Sequence, residues 1–200
     1  MLLDLVRFCV GVSFLGYAAY RDWTERSVPN GLWIVMGVIG GGLLVAQFLL
    51  GGYDLLCVCF IPLTWLLAYL LYALHLWGGA DAKGLMALAV LVPSWPSVPP
   101  LRSLLPFPFV ILCNTALALI FVPVVLAMYN GTRGDLVFPQ CFLSIRRREM
   151  EDREGEVKGE GKEWVKPEIP FMVPLLAGFV VSFSVGDLLY ALFRALGSSV

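Results

Sequence analysis

The sequence predicts an all-α integral membrane protein with six transmembrane helices, the fourth of them short or irregular. Three observations carry this expectation. Of the 200 residues, 59% are apolar and 14% charged, and the mean hydropathy is +0.82, a balance typical of membrane-embedded chains. The apolar residues form six stretches separated by polar or proline-rich sequence, and much of the charge is gathered between Arg146 and Glu168. The length suits about one domain. Residues 1–200 are therefore expected to form a single membrane domain, with 129–168 as a cytosolic loop within it.

The first stretch, Leu2 to Ala19, carries Arg7 ahead of apolar sequence and superficially looks like a signal peptide. It has no cleavage site followed by a soluble chain, and the next apolar stretch begins almost at once, so residues 1–20 read as a retained span. Pro29 disfavours helix at Val28, and Asn30 either caps the next helix or binds extended backbone, which makes Ser27 to Gly31 a turn. The second stretch runs from Leu32 to Leu50 and contains Gly37 to Gly42, small residues that permit close helix contact. Leu55 to Trp77 is the third.

The fourth, Leu85 to Val92 with flanks from Ala80 to Pro93, is shorter than the roughly 20 residues a crossing needs. It runs into Ser94 to Pro100, whose prolines forbid regular helix. Leu104 to Met128 and Ile169 to Phe193 complete the set. Pro62, Pro123 and Pro174 interrupt apolar stretches and are candidate kinks. Between Tyr129 and Pro167 the density of Glu, Lys, Arg and Gly leaves little apolar area to fold around, so a mobile loop is expected, a candidate lid. Its Arg146, Arg147 and Arg148 suit anionic lipid better than RNA.

Basic residues set the orientation. With the segment after the first helix in the cytosol, Arg21, Arg26, Lys83, Arg133, Arg146, Arg147, Arg148, Arg153, Lys158, Lys162 and Lys166 lie inside, eleven of the fourteen in the chain. Both termini then lie outside. Helices one and three descend to the same face, so Asp22 and Asp81 share one side of the bilayer.

Net charge is −1, which gives no global field for nucleic acid. Cys9, Cys57, Cys59, Cys113 and Cys141 form no disulfide grid; Cys57 and Cys59 are two apart and His75 is the only histidine, so no zinc site is expected. No cofactor is implied.

Asp22 and Asp81 are isolated carboxylates at the ends of long apolar stretches, in Tyr20 to Gly31 and Trp77 to Met86. Gly78 and Gly79 permit close backbone approach, and Asp81 falls in the first turn of the next helix, where backbone N–H groups favour negative charge. Spacing alone also fits a charged interfacial loop around Arg21, Asp22, Glu25 and Arg26, and an ordinary helix cap at Asp81 with Lys83 snorkelling. On that reading the chain is a noncatalytic membrane binding or assembly protein. A third reading, a proton-coupled transporter with Asp81 and Asp187 as a relay, gains little from a chain without evident repeats.

Taken in order, the two blocks resemble the type IV prepilin peptidase family, most closely its archaeal preflagellin or prearchaellin branch. Asp22, Arg26 and Val28-Pro29-Asn30 look like the family's first aspartate, basic residue and IPN-like element. Gly78-Gly79-Ala80-Asp81 looks like its GxGD element, with Ala80 where the stricter form has glycine, and Lys83 like the lysine often found two residues later. The lack of an N-terminal four-cysteine domain looks like the peptidase-only archaeal form.

The resemblance implies an aspartic endopeptidase that removes class III leader peptides from archaellin or type IV pilin-like precursors. Asp22 and Asp81 are then the catalytic pair, with Arg26, Pro29, Asn30, Gly78, Gly79, Ala80 and Lys83 supporting or near the substrate. Two close carboxylates share one proton, which leaves one as base for water and the other as acid toward the amide carbonyl. Glu25, Asp135 and the loop acids are candidates to attract the basic leader. Asp187 is a costly carboxylate in the last apolar stretch; Asp4 and Asp54 fall near the outer face. The oligomeric state is not legible.

Overall fold

The computed structural model describes residues 1–50, 55–132, 145–146, 164–165 and 170–197, with backbone alone at 55–57, 145–146 and 164–165. Its described residues form seven helices: α1 (Leu2–Glu25), α2 (Asn30–Leu49), α3 (Leu55–Ala73), α4 (Gly79–Leu91), α5 (Phe107–Thr132), α6 (Met172–Ser184) and α7 (Leu188–Gly197). A two-residue antiparallel ladder, β1 (Ile145–Arg146) with β2 (Trp164–Val165), lies between α5 and α6 in sequence. The chain divides into two units, residues 1–118 with 170–200, and residues 119–169. The expected loop at 129–168 begins four residues inside α5, and apart from the ladder its remainder lies outside the described residues.

α1, α2 and α5 are long and apolar enough to cross a membrane, the described side chains of α3 cover Val58–Ala73, and α6 and α7 are shorter apolar helices. α4 has 13 residues, about 20 Å at 1.5 Å per residue. Apolar side chains such as Ile34, Val38, Phe48 and Leu66 lie exposed on the outside. Lipid tails are as apolar as these side chains, so helices here are held by close packing and polar ties more than by escape from water.

Within the first unit α4 packs between α2 and α3, and α1 packs on α2 and α6. The small residues of α4, among them Ala82, Gly84, Ala87 and Ala89, are buried and admit its neighbours closely. Of the α2 glycines expected to allow close contact, Gly40 does so: a Cβ there would stand 2.8 Å from Leu91 Cα, while Gly37, Gly41 and Gly42 face open space. The core gathers Leu15, Ala18, Trp33, Met36, Leu88, Phe107, Met172 and Phe179.

Two expectations need correction. The last apolar stretch, Ile169 to Phe193, is not one helix. α6 stops at Ser184, Gly186 takes φ 106°, and α7 starts at Leu188. The break is pinned by Asn114, whose Nδ2 donates to Gly186 O at 2.8 Å and whose Oδ1 accepts from Leu188 N at 3.2 Å. Leu101 O accepts from Asp187 N at 2.9 Å, and Asp187 Oδ1 accepts from Tyr190 N at 3.0 Å, which makes the buried Asp187 the cap of α7. Pro174 produces no interior break either. It stands in the first turn of α6, where its missing N–H has no intrahelical partner to lose; Pro62 and Pro123 do lie inside α3 and α5.

The proline-rich chain after α4 is tied down at the end far from the α1–α2 turn. Asp4 Oδ2 accepts from Ser97 N at 3.1 Å and from Ser97 Oγ at 2.7 Å, and Arg102 Nη2 donates to Pro96 O at 2.8 Å. Backbone N–H and C=O groups of an irregular segment need such partners wherever water is scarce.

Candidate active site

The C-terminal end of α1 and the N-terminal ends of α2, α4 and α6 meet at one end of the first unit. Asp22 lies in the last turn of α1 and is half-buried. Its Oδ2 accepts from the backbone N–H of Met172 at 3.2 Å, the first residue of α6. A helix N-terminus carries unpaired N–H groups and a partial positive charge, so it suits a carboxylate. Arg21, adjacent in sequence, pairs through Nη1 with Glu25.

Asp81 lies in the first turn of α4, ahead of its apolar residues and outside the three spanning helices. Its Oδ2 accepts from Gly78 N at 3.1 Å. A Cβ on Gly78 would stand 3.0 Å from that oxygen, so the closeness of this contact favours glycine there. Burial pushes the Asp81 carboxyl up to about 6; the Gly78 N–H opposes this, and the negative charge of Asp22 adds to the rise. Asp22 thus acts on Asp81 as a neighbouring like charge. Among the described residues, each spends Oδ2 on a backbone N–H and leaves Oδ1 without a hydrogen-bond partner.

The blocks that carry the acids are also tied to each other. Lys83 Nζ donates to Asn30 Oδ1 at 2.8 Å across 53 residues. Asn30 is therefore not a cap: Pro29 holds the N-cap position in extended conformation, Asn30 is the first helical residue, and its side chain reaches α4. Lys83, expected to snorkel or to stand near the substrate, is bound to α2. Ala80 packs against the core, Gly79 lies 3.5 Å from the Tyr72 ring as measured from its would-be Cβ, and exposed Arg26 ends α1 in the left-handed conformation at φ 52°.

Three contributors have no signature in the sequence blocks. The Met172 N–H is backbone. Trp77 and Phe171 meet at a tilt, 4.8 Å between ring centroids, and so join the chain before Gly78 to the chain before Met172. Trp33, 5% exposed, packs its ring beside Gly84 and Leu175. Pro170 and Pro174 flanking the start of α6 were the available hint that a helix N-terminus lies there.

The remaining acids stand elsewhere. Asp187 and Asp4 lie at the opposite end, with the partners given above. Asp135, Asp54 and the loop acids lie outside the described residues, and no group of three or more His, Cys, Asp or Glu suited to a metal gathers among the described residues.

A model of the type IV leader peptidase family matches residues 9–124, more than half of the chain and a stretch that contains both acids. The chain belongs to the type IV leader peptidase family. It is 25% identical to the preflagellin peptidase of Methanococcus voltae over 92% of this chain and 96% of that protein. The preflagellin peptidase of Methanocaldococcus jannaschii is also 25% identical, over 94% and 97%, and that of Methanococcus maripaludis 23% identical, over 92% and 96%. Similarity thus runs nearly end to end, and the resemblance read from the two aspartate blocks is borne out.

Proposed function

We propose that this family member is an aspartic endopeptidase that removes leader peptides from archaellin or type IV pilin-like precursors at the cytosolic face of the membrane, with both of its termini outside. The preflagellin peptidases to which it is similar support the substrate class. The observation that carries the chemistry is the influence of Asp22 on Asp81, two acids 59 positions apart in sequence.

In this reading one proton is shared by the pair. The ionised carboxylate takes a proton from water as the water oxygen attacks the scissile carbonyl carbon, and the protonated carboxyl donates to the carbonyl oxygen. The tetrahedral intermediate then collapses: the C–N bond breaks, the leaving nitrogen takes a proton from one carboxyl, and a hydroxyl of the intermediate gives its proton to the other, which restores the single shared proton. The Oδ1 atoms, unbonded among the described residues, suit the water, while Oδ2 of each acid is held by backbone. Which acid starts as base stays a property of the pair. Arg26, Pro29, Asn30, Gly78, Gly79, Ala80 and Lys83 hold the two blocks in place or face the substrate. The chemistry needs no cofactor or metal, and the membrane partner is lipid.

Incubation of membranes containing the chain with a leader-bearing precursor tests this. Site-specific leader removal that depends on both acids is the expected result. A precursor that is bound yet stays intact would instead indicate an assembly role.

A further inference from the structure

α7 stands apart from the bundle: none of its 10 residues is buried. Its sequence nevertheless divides into two faces. Leu189, Leu192, Phe193 and Leu196 recur at the i, i+3, i+4, i+7 spacing that gathers side chains on one side of a helix, and Tyr190 and Arg194, four apart, fall on the other. Leu192, Phe193 and Leu196 are 51%, 69% and 60% exposed. Arg194 is the one charge of the helix and enters no ion pair among the described residues.

The start of α7 is fixed at the end of the bundle opposite the two acids. Leu101 O accepts there from Asp187 N, and Asn114 Oδ1 accepts from Leu188 N. Ten residues reach about 15 Å, half of a hydrocarbon core of about 30 Å. Turned back along the bundle, α7 would carry Arg194 about 9 Å into the apolar layer, where a guanidinium is costly. Turned outward, it would hold Leu192, Phe193 and Leu196 in water. Laid along the membrane surface, it gives each face a matching medium: acyl chains for the apolar side, phosphates for Arg194, and the headgroup layer for the Tyr190 phenol.

We propose that α7 is an interfacial helix, docked on the phosphate-bearing lipid headgroups of the membrane surface opposite Asp22 and Asp81. Of the last apolar stretch, only α6 then runs through the bilayer, and Val185 to Asp187 is the corner between the two courses. Gly186 permits that corner, since at φ 106° a Cβ would collide with Leu101 O. The partner is a lipid surface, and the helix takes no part in the cleavage chemistry.

The test uses the full-length enzyme in bilayers that contain anionic phospholipid. Its native cysteines are replaced by alanine, and a nitroxide is placed in turn at Leu189→Cys, Tyr190→Cys, Leu192→Cys, Phe193→Cys, Arg194→Cys and Leu196→Cys. Collision with oxygen, compared with collision with a water-soluble nickel complex, gives the depth of each label. Expected is a wave of helical period about one constant level, with the four apolar positions about 5–10 Å into the headgroup and acyl boundary and positions 190 and 194 at headgroup level. A steady change of depth from position 189 to 196 means a crossing helix. Free access of the nickel complex to all six means a helix in water, and exclusion of both reagents with spin coupling between molecules means a second copy on this face. Each of these three results would overturn the proposal. Should cysteine replacement prevent insertion, a photoreactive phenylalanine at Phe193 or Tyr190 of the otherwise native chain gives a second reading: several-fold stronger crosslinking to acyl chains from Phe193 is expected, and equal yields or crosslinks to a second copy would overturn the proposal as well.

Discussion

At Asp22 and Asp81 the same local device is used twice: a backbone N–H at a helix start fixes one carboxylate oxygen and leaves the other unbonded among the described residues. Each acid is thereby oriented without being neutralised. Because Asp22 raises Asp81 through its negative charge, Asp22→Asn removes one of the raising causes and leaves burial in place. The Asp81 midpoint should therefore fall below about 6 while staying above that of an ordinary carboxyl. Carbodiimide labelling of Asp81 against pH measures this, and an unmoved midpoint means that the acids are not neighbours. The same sign governs activity. The shared proton is held at low pH and lost as the pH rises through about 6, so kcat/KM should show a descending limb there, since it reports on the free enzyme. Asp22→Asn and Asp81→Asn should each lower turnover by about 10²- to 10⁴-fold or more in protein that still inserts. The sequence made these acids and Lys83 legible because a lone charge beside an apolar run stands out. It concealed Met172, whose contribution is a backbone N–H supplied from 150 residues away, and Trp33, which resembles any core aromatic.

α4 is the element on which the site depends, because it carries Asp81 and Lys83 and lies between α2 and α3. Its position rests on the absence of a side chain at Gly40. In Gly40→Ala the new Cβ would meet the Leu91 backbone at 2.8 Å, and backbone cannot rotate aside. A loss of about 1–3 kcal/mol is expected from such overpacking, read as lowered thermal stability in detergent or bilayer. Gly41→Ala, which meets nothing within 4 Å, should be neutral or gain about 0.5–1 kcal/mol through helix propensity. Equal losses at the two positions would remove the close approach as the explanation. Hydropathy located α2, α3, α4 and α5 to within about four residues, as it reads long apolar runs well, and stopped α1 at Ala19, short of its end at Glu25 because the last turns are polar. It failed over Ile169 to Phe193 because the break occupies only Val185, Gly186 and Asp187, and is specified by bonds to Asn114 and Leu101 that no local pattern contains.

For the whole molecule, the expected bias of eleven among fourteen basic residues toward one side and the meeting of four helix ends support the proposal of a single working face. The account expects Ser27→Cys to react with a membrane-impermeant thiol reagent from the cytosolic side, and Val98→Cys from the other. Reaction of both from one side would contradict that orientation. Composition and charge placement made the membrane class legible. The number of crossings was less so, because α4 and α6 are only 13 residues each and their ends are fixed by packing partners. Everything functional depends on Asp22 and Asp81 sharing one water at that face. Its most direct test is cleavage of a leader-bearing precursor in native-like membranes by the wild type, Asp22→Asn and Asp81→Asn, each verified as inserted. The account predicts one specific cut by the wild type and none by either variant; near-wild-type turnover by an inserted Asp81→Asn enzyme would contradict it.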